Sequence, residues 1–346
     1  HQEFSGEQRF QMIHNRYEEF KENKIFIKDE TASFYIYESS NAHDYFCGII
    51  GATAVDDYNN GTIKKHEGTI KKREQLFETY LKTTGFNAEP VLLTYKDDEK
   101  FNTLLQTLKK KRPEYEFSTT DKKLHRLWLV NDKENIKKII SFFEDKEALY
   151  IADGHHRSAS SSLLKTDLQA ENIHHKGDEN YNFFMSYIIP ESNLKISEFN
   201  RFIKDLNGLS IDEFLIELDK SYRIEDRGEH FYKPSQKHHF SMYLGGKFYS
   251  LYLRKSLFLN GDALSKLDAE ILHRTILKPI LGINNLNNND RISYRNNKLD
   301  LLSIKTLVDD GRFVVGFGML SITIDEMKKI ADAKLIMPPK TSYIEP

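Results

Sequence analysis

The sequence of 346 residues contains a single cysteine, Cys47, so no disulfide can form within the chain. Cys47 lies in the apolar stretch YFCGIIGA, which is typical of a buried strand and not of a reactive thiol. Sparse cysteine is characteristic of reducing compartments. We therefore expect a cytoplasmic protein.

Long hydrophobic runs are also absent. No apolar segment approaches the ~20 residues that cross a bilayer, and the first residues show no signal-peptide pattern. We therefore expect no membrane partner. The chain starts without methionine in helix-like sequence, so we expect a further segment upstream.

The chain has no large excess of charge of one sign. It contains 50 Lys and Arg residues and 52 Asp and Glu residues, which gives a net charge of -2. Such a balance offers no general electrostatic attraction to nucleic acid, and we expect no nucleic-acid partner. Internal repeats and low-complexity linkers are lacking as well, and the length predicts two domains.

Hydrophobic periodicity predicts alternating helices and strands, and therefore an α/β or α+β layered fold. YNFFMSYIIP, at 181–190, is almost wholly apolar and predicts a central strand. Residues 211–257 combine a helix with two strands joined by Gly245-Gly246, which indicates a smaller α+β lobe. We place the domains at 1–205 and 206–346. Other predicted elements include a helix at 5–22, a hairpin at 33–39 and 45–55, a helix at 68–83 and strands at 90–95 and 125–131.

The densest polar motif is Asp153-Gly154-His155-His156-Arg157, between a strand-like and a helix-like segment. Gly154 permits close approach of a ligand to the backbone, the helix start offers N–H groups, and Arg157 is a planar donor for phosphate oxygens. Adjacent histidines point in different directions, so one metal ion is not expected to bind both. The alternative is structural, with Asp153 capping the helix.

Two further motifs carry chemically useful groups. His66-Glu67 precedes a predicted helix, where Glu67 could act as a general base; the alternative is simple complementation of the helix dipole. Near the end, Lys340, Thr341 and Ser342 follow two prolines and could hold a carboxylate or phosphate; the alternative is an extended, exposed tail.

Asn200-Arg201 forms a weaker candidate, because these residues could reach a site just beyond the predicted central strand. The alternative is the start of a surface helix.

YIADGHHR resembles the nucleotide-phosphate box of the ParB and sulfiredoxin superfamily, without the cysteine that sulfiredoxin needs. The order of the three motifs, with Pro339-Lys340-Thr341-Ser342 last, is similar to the ParB-like free serine kinases. Over nearly the whole length, through segments such as KISEFNRFIKDL and ILHRTILKPILGI, the chain resembles the bacterial domain-of-unknown-function family 1015. Members of that family normally carry an upstream Pro-Pro-Tyr-Asp motif.

The resemblance implies a ParB/sulfiredoxin-like nucleotide-binding core of mixed sheet with flanking helices, plus the smaller lobe whose C-terminal segment returns to the site. It implies Mg²⁺ and either ATP or ADP as phosphoryl donor, with free serine or a similar hydroxy-amino acid as acceptor. A homo-oligomer is compatible with it. The implied catalytic residues are Glu67, Asp153 and His156, the implied phosphate-binding residues are Gly154, His155, His156, Arg157 and Ser158, and the implied substrate-binding residues are His66, Asn200, Arg201, Lys340, Thr341 and Ser342.

In this hypothesis Glu67 takes the proton of the serine hydroxyl, and Asp153 binds Mg²⁺ directly or through water. The alternative hypothesis is a ParB-like regulator that binds CTP or ATP and has no kinase activity. A structural protein with a degenerate site is the third possibility.

Overall fold

A computed structural model describes residues 5–258, 261–287, 289–296 and 303–346. The chain forms two compact units, which divide between residues 194 and 195. This division lies earlier than the predicted boundary after residue 205, because the strand Phe199–Ile203 pairs with strands of the second unit.

The first unit contains one large mixed sheet. Its strands are β1 (Phe34–Ser40), β2 (Tyr45–Ala54), β3 (Ile63–Lys64), β4 (Val91–Tyr95), β5 (Tyr115–Ser118), β6 (Leu124–Val130), β7 (Leu149–Asp153) and β8 (Phe183–Pro190). Its helices are α1 (Gly6–Glu22), α2 (Val55–Asn60), α3 (Lys71–Thr84), α4 (Glu99–Leu108), α5 (Lys133–Glu144) and α6 (His155–Glu171).

The eight strands are ordered β3-β7-β4-β8-β2-β1-β6-β5. β3 runs parallel to β7 and β4 parallel to β8, and the other neighbours are antiparallel. This mixed sheet with flanking helices confirms the predicted fold class. β8 lies in the interior of the sheet, as its apolar sequence predicts, and Cys47 and Trp128 are buried strand residues.

The pairing of β3 with β7 positions the candidate site. Ile63 lies opposite Leu149 and Lys64 opposite Tyr150 in parallel register. The carboxyl ends of adjacent parallel strands lie at the same edge of a sheet, where α/β proteins commonly bind ligands. The residues that follow β3 and those that follow β7 are therefore brought together at one edge.

The second unit contains a six-stranded sheet ordered β11-β13-β12-β15-β10-β14 and a separate pair, β16 with β9. The strands are β9 (Lys195–Ser197), β10 (Phe199–Ile203), β11 (Tyr222–Gly228), β12 (His239–Leu244), β13 (Lys247–Leu253), β14 (Ile292–Asn296), β15 (Val315–Met319) and β16 (Tyr343–Glu345). The helices are α7 (Ile211–Asp219), α8 (Asp268–Leu272), α9 (Ser303–Asp309) and α10 (Ile324–Asp332), and a π-helical turn, His273–Leu277, extends α8.

Local sequence explains several of these elements. Gly245 and Gly246 both have positive φ, as required by the predicted hairpin turn between β12 and β13. Capping boxes at Ser5, Ser210 and Thr323 start α1, α7 and α10.

Each unit has its own apolar core. The first core includes Ile36, Ile49 and Ile151, and the second includes Phe214, Phe240 and Phe317. Among the described residues, every helix is too short or too polar to cross a membrane.

Candidate active site

Gly154 makes the turn between strand β7 and helix α6. Its backbone is left-handed, with φ 100° and ψ 25°, a conformation that glycine adopts without a steric penalty. Helix α6 then begins at His155, and the amide of Ser158 donates to the Gly154 carbonyl at 3.0 Å. The N–H groups of the preceding helical residues have no partner inside the helix, so this helix start can bind an anion.

Arg157 lies against the Gly154 backbone. A Cβ atom at position 154 would be 3.0 Å from the Arg157 Nε atom. The guanidinium donates to the Asp153 carboxylate, to Glu89 Oε2 at 2.9 Å and to the Pro90 carbonyl at 2.7 Å. The alternative in which the Asp153 side chain caps the helix is wrong, since that carboxylate accepts from Arg157 and α6 has no side-chain cap.

Glu67, His66 and His155 form a compact group at the same edge of the sheet. His155 Nδ1 lies 3.6 Å from Glu67 Oε2, and the amide of His66 donates to His155 Nε2 over 3.4 Å. The two imidazole rings meet edge to face with their centroids 4.5 Å apart. His66 and His155 are buried, whereas the Glu67 side chain is 40% exposed. A carboxylate that solvent can reach is therefore held beside the start of α6.

Burial keeps both imidazoles of this group neutral. It lowers the pKa of His66 to about 4. It also lowers the pKa of His155 well below its usual value, and neighbouring positive charges act in the same direction. A cation on either ring would be poorly solvated, so these rings are neutral donors or acceptors at physiological pH.

His156 and Ser158 occupy different surroundings. Burial and the positive charge of Arg73 lower the pKa of His156, and its buried Nδ1 has no hydrogen-bond partner among the described residues. The buried Ser158 hydroxyl donates to the carbonyl of Gly154. His156 therefore lies near Arg73 of helix α3, and the Ser158 hydroxyl is engaged by a hydrogen bond to the start of its own helix.

The Glu67 alternative, in which the carboxylate complements the dipole of α3, does not fit its position. Helix α3 begins at Lys71, with Ile70 as its N-cap residue. Glu67 lies upstream of that first turn and beside α6 instead.

The predicted substrate residues of the second unit also lie together. Asn200 and Arg201 are buried on strand β10, so the alternative of a surface helix start is wrong. The Arg201 guanidinium donates to the carbonyls of Phe199 at 2.7 Å and Lys340 at 3.3 Å. The Lys340 ammonium lies 5.4 Å from the centre of the Phe199 ring.

The C-terminal segment is ordered by this unit. Thr341 is buried and donates to the Pro338 carbonyl at 2.7 Å, and the Ser342 hydroxyl is buried without a hydrogen-bond partner among the described residues. Strand β16 then pairs with β9. The alternative of an exposed tail is therefore wrong.

Burial lowers the pKa of Arg201 to about 10.

Sequence reasoning missed two features of the first unit. The first is Glu89, which precedes β4 and reaches Arg157 because β4 and β7 are antiparallel neighbours, with Leu92 opposite Asp153. The second is the contact of His66 with His155. Reading Ile63–Lys64 as a strand parallel to β7 could have predicted this contact, but two residues give too short a signal.

The first unit thus has a mixed sheet, a helix start whose N–H groups can bind an anion, and a nearby carboxylate. The chain belongs to the family described as "Protein of unknown function (DUF1015)", which matches residues 1–270 and confirms the family predicted from the motifs. A comparison with curated proteins found no match.

Several solved structures resemble the chain at low identity. A free serine kinase in complex with AMP is 13% identical, with 92% of this chain and 91% of that chain covered and a TM-score of 0.40. SbnI with a C-terminal truncation, from Staphylococcus aureus, is 11% identical, with 86% and 82% covered and a TM-score of 0.44. A conserved hypothetical protein from Pyrococcus furiosus is 13% identical, with 86% and 90% covered and a TM-score of 0.40. Nothing about the activity of this chain follows from likenesses at this level.

Proposed function

We propose that the protein is a small-molecule phosphotransferase that moves a phosphoryl group from ATP or ADP to the hydroxyl of free serine or a similar hydroxy-amino acid. The observation that carries this proposal is the position of the Glu67 carboxylate beside His155, the first residue of α6. A proton acceptor thus lies next to a helix start that can bind phosphate. The resemblance of the motifs to those of free serine kinases supports the choice of acceptor.

Phosphoryl transfer depends mainly on positioning and on neutralisation of charge. The N–H groups at the start of α6, with the positive end of its dipole, bind the phosphate of the donor. Glu67 accepts the proton as the acceptor O–H bond breaks and the new O–P bond forms. The bond from phosphorus to the leaving nucleotide breaks in the same displacement, so ATP leaves as ADP and ADP leaves as AMP.

Asp153 suits the Mg²⁺ ion that accompanies the nucleotide. Mg²⁺ prefers oxygen ligands and keeps several waters. The Asp153 side chain is 62% exposed at the end of β7, and Arg157 contacts its Oδ2 atom. When bound, Mg²⁺ supplies neutralisation of charge on the phosphates. Arg157 positions the Asp153 carboxylate, while Glu89 and Pro90 fix Arg157.

The remaining groups receive roles from the motif resemblance. His155 and His156 contribute to the phosphate environment through their position at the helix start. Asn200, Arg201, Lys340, Thr341 and Ser342 are assigned to the amino acid, since cations and hydroxyls suit its carboxylate.

The activity is tested by incubating the protein with serine, Mg²⁺ and either ATP or ADP, and measuring O-phosphoserine by mass spectrometry. Threonine and homoserine serve as further acceptors. Product with at least one combination is expected. Nucleotide binding without product from any acceptor would overturn the kinase proposal and favour the ParB-like regulator.

The role of Glu67 is tested by Glu67→Gln. Loss of a general base lowers turnover by roughly two to four orders of magnitude, while nucleotide affinity stays unchanged. Glu171→Gln, at the exposed far end of α6, is the matched control and keeps the full rate. An unchanged rate in Glu67→Gln would refute the role.

A further inference from the structure

His66 poses a chemical problem that the proposed reaction leaves unsolved. Its side chain is completely buried, and neither ring nitrogen has a hydrogen-bond partner among the described residues. A buried polar group without a hydrogen-bond partner destabilises the fold. Such groups therefore call for a physical explanation, for which an ion or a water molecule is the usual one.

The groups around His66 are metal ligands. One ligand atom from each of His66, Glu67 and His155 lies within 4.8 Å of the others. Two imidazoles and one carboxylate form the donor set of many catalytic zinc sites, in which water takes a fourth position. Mg²⁺, in contrast, prefers a shell made of oxygen atoms.

We propose that His66, Glu67 and His155 form a binding site for a divalent transition-metal ion such as Zn²⁺. This site is distinct from the Mg²⁺ position assigned to Asp153. Neighbouring ligand atoms around a tetrahedral zinc ion lie about 3.4 Å apart. The 3.6 Å between His155 Nδ1 and Glu67 Oε2 is close to that value, and the other separations, all within 4.8 Å, need to close by up to about 1.4 Å.

Glu67 can make this adjustment because its side chain is 40% exposed, which also gives the ion a path from solvent. Binding through His155 Nδ1 requires the ring proton to sit on Nε2. The 3.4 Å contact from the His66 amide to that atom is then lost, and the loss of this long hydrogen bond weakens metal binding. Lys65 and Arg157 place positive charge near His155, which weakens the site, and the Glu67 carboxylate opposes that effect.

The site goes beyond the proposed kinase activity and affects it. Under the proposed function, a metal ion bound to Glu67 lowers the basicity of the carboxylate that would accept the serine proton. Zn²⁺ therefore inhibits the kinase when it fills this site, whereas Mg²⁺ supports the nucleotide. Metal binding is measured without nucleotide or serine, so its outcome is independent of whether the kinase proposal holds.

The experiment is a titration of the metal-free full chain with Zn²⁺ against a chromophoric chelator, and with Co²⁺ by visible absorption. One ion per chain is expected, with Co²⁺ bands in the visible region from a site of low coordination number. His66→Asn and Glu67→Gln are each expected to weaken binding at least about tenfold. His174→Gln is the matched control, since His174 is exposed in a loop of the same unit, and it leaves the affinity unchanged.

Circular dichroism of each metal-free variant checks folding. If His66→Asn does not fold, Glu67→Gln decides, because the half-exposed Glu67 tolerates an isosteric amide. The proposal is overturned if the wild-type chain binds neither ion, or if the folded variants bind both ions as tightly as the wild type.

Discussion

Gly154 adopts a left-handed backbone conformation, and a Cβ atom there would lie only 3.0 Å from the Arg157 Nε atom. Gly154→Ala therefore introduces two effects, backbone strain of about 1–2 kcal/mol and displacement of Arg157. We expect lower stability and at least tenfold weaker nucleotide binding, measured by urea unfolding and by calorimetry.

Gly177→Ala provides the matched control for this substitution. Gly177 also has positive φ, but a Cβ atom there meets nothing within 4 Å. Gly177→Ala introduces the same backbone strain but displaces no side chain, so its nucleotide affinity should equal that of the wild type. Equal nucleotide affinities of Gly154→Ala and Gly177→Ala would show that nucleotide binding does not require the close contact of Arg157 with Gly154.

Asp268, the first residue of α8, is a buried acid with a pH-dependent cost to the fold. Its Oδ1 accepts from the His238 amide at 2.9 Å, whereas Oδ2 is buried and has no hydrogen-bond partner among the described residues. Burial raises its pKa from 3.8 to about 6. Below about pH 3 the carboxyl is protonated in both the folded and the unfolded state, and no cost arises. Between about pH 4 and pH 6 the carboxyl ionises in the unfolded state before it does in the fold, so the fold loses stability. The loss reaches about 3 kcal/mol above pH 6.

Asp268→Asn removes this titration and keeps an acceptor for the His238 amide. We expect the variant to gain stability relative to the wild type between pH 4 and pH 7.5, by up to about 3 kcal/mol, in urea unfolding. An effect of the new amide group on stability that does not vary with pH cancels when the stability differences at pH 4 and pH 7.5 are compared. A stability difference that does not change with pH would contradict the expectation.

At the level of elements, long periodic segments were predictable from the sequence. Helix α1, the hairpin of β1 with β2 and the Gly-Gly turn between β12 and β13 agree with local apolar spacing and turn chemistry. The strands β3, β9 and β16 are only two or three residues long, and β5 is exposed at every position. Neither case leaves a periodic signal.

The candidate site was predictable in its residues but not in its contacts. His66-Glu67 and Gly154-His155 can be read as chemically useful motifs wherever they occur. Their proximity results from the parallel pairing of β3 with β7, which joins strands more than eighty residues apart in the sequence. The burial of the His66 ring, which has no hydrogen-bond partner in the described part of the chain, likewise results from packing and could not be predicted from the polar sequence around it.

At the scale of the whole molecule, the strands of each unit pair only within that unit among the described residues. β1 to β8 form the first sheet, and β9 to β16 form the two sheets of the second unit. The second unit also has an apolar core built from its own side chains. A domain that has its own apolar core and pairs its strands only with one another can fold by itself.

Expression of residues 195–346 alone therefore tests this organisation. We expect a single cooperative urea transition by circular dichroism. The comparison fragment is 206–346, cut at the boundary predicted from sequence, which lacks β10 and the short strand β9. That strand lies between β15 and β14 and contributes the fully buried Phe202 and Ile203. Its loss leaves one edge of β15 unpaired, detaches β14 from the sheet and opens a cavity in the core, at a total cost of several kcal/mol. The shorter fragment should therefore show no cooperative transition, and equal stability of the two fragments would refute the role of β10 in closing the second sheet.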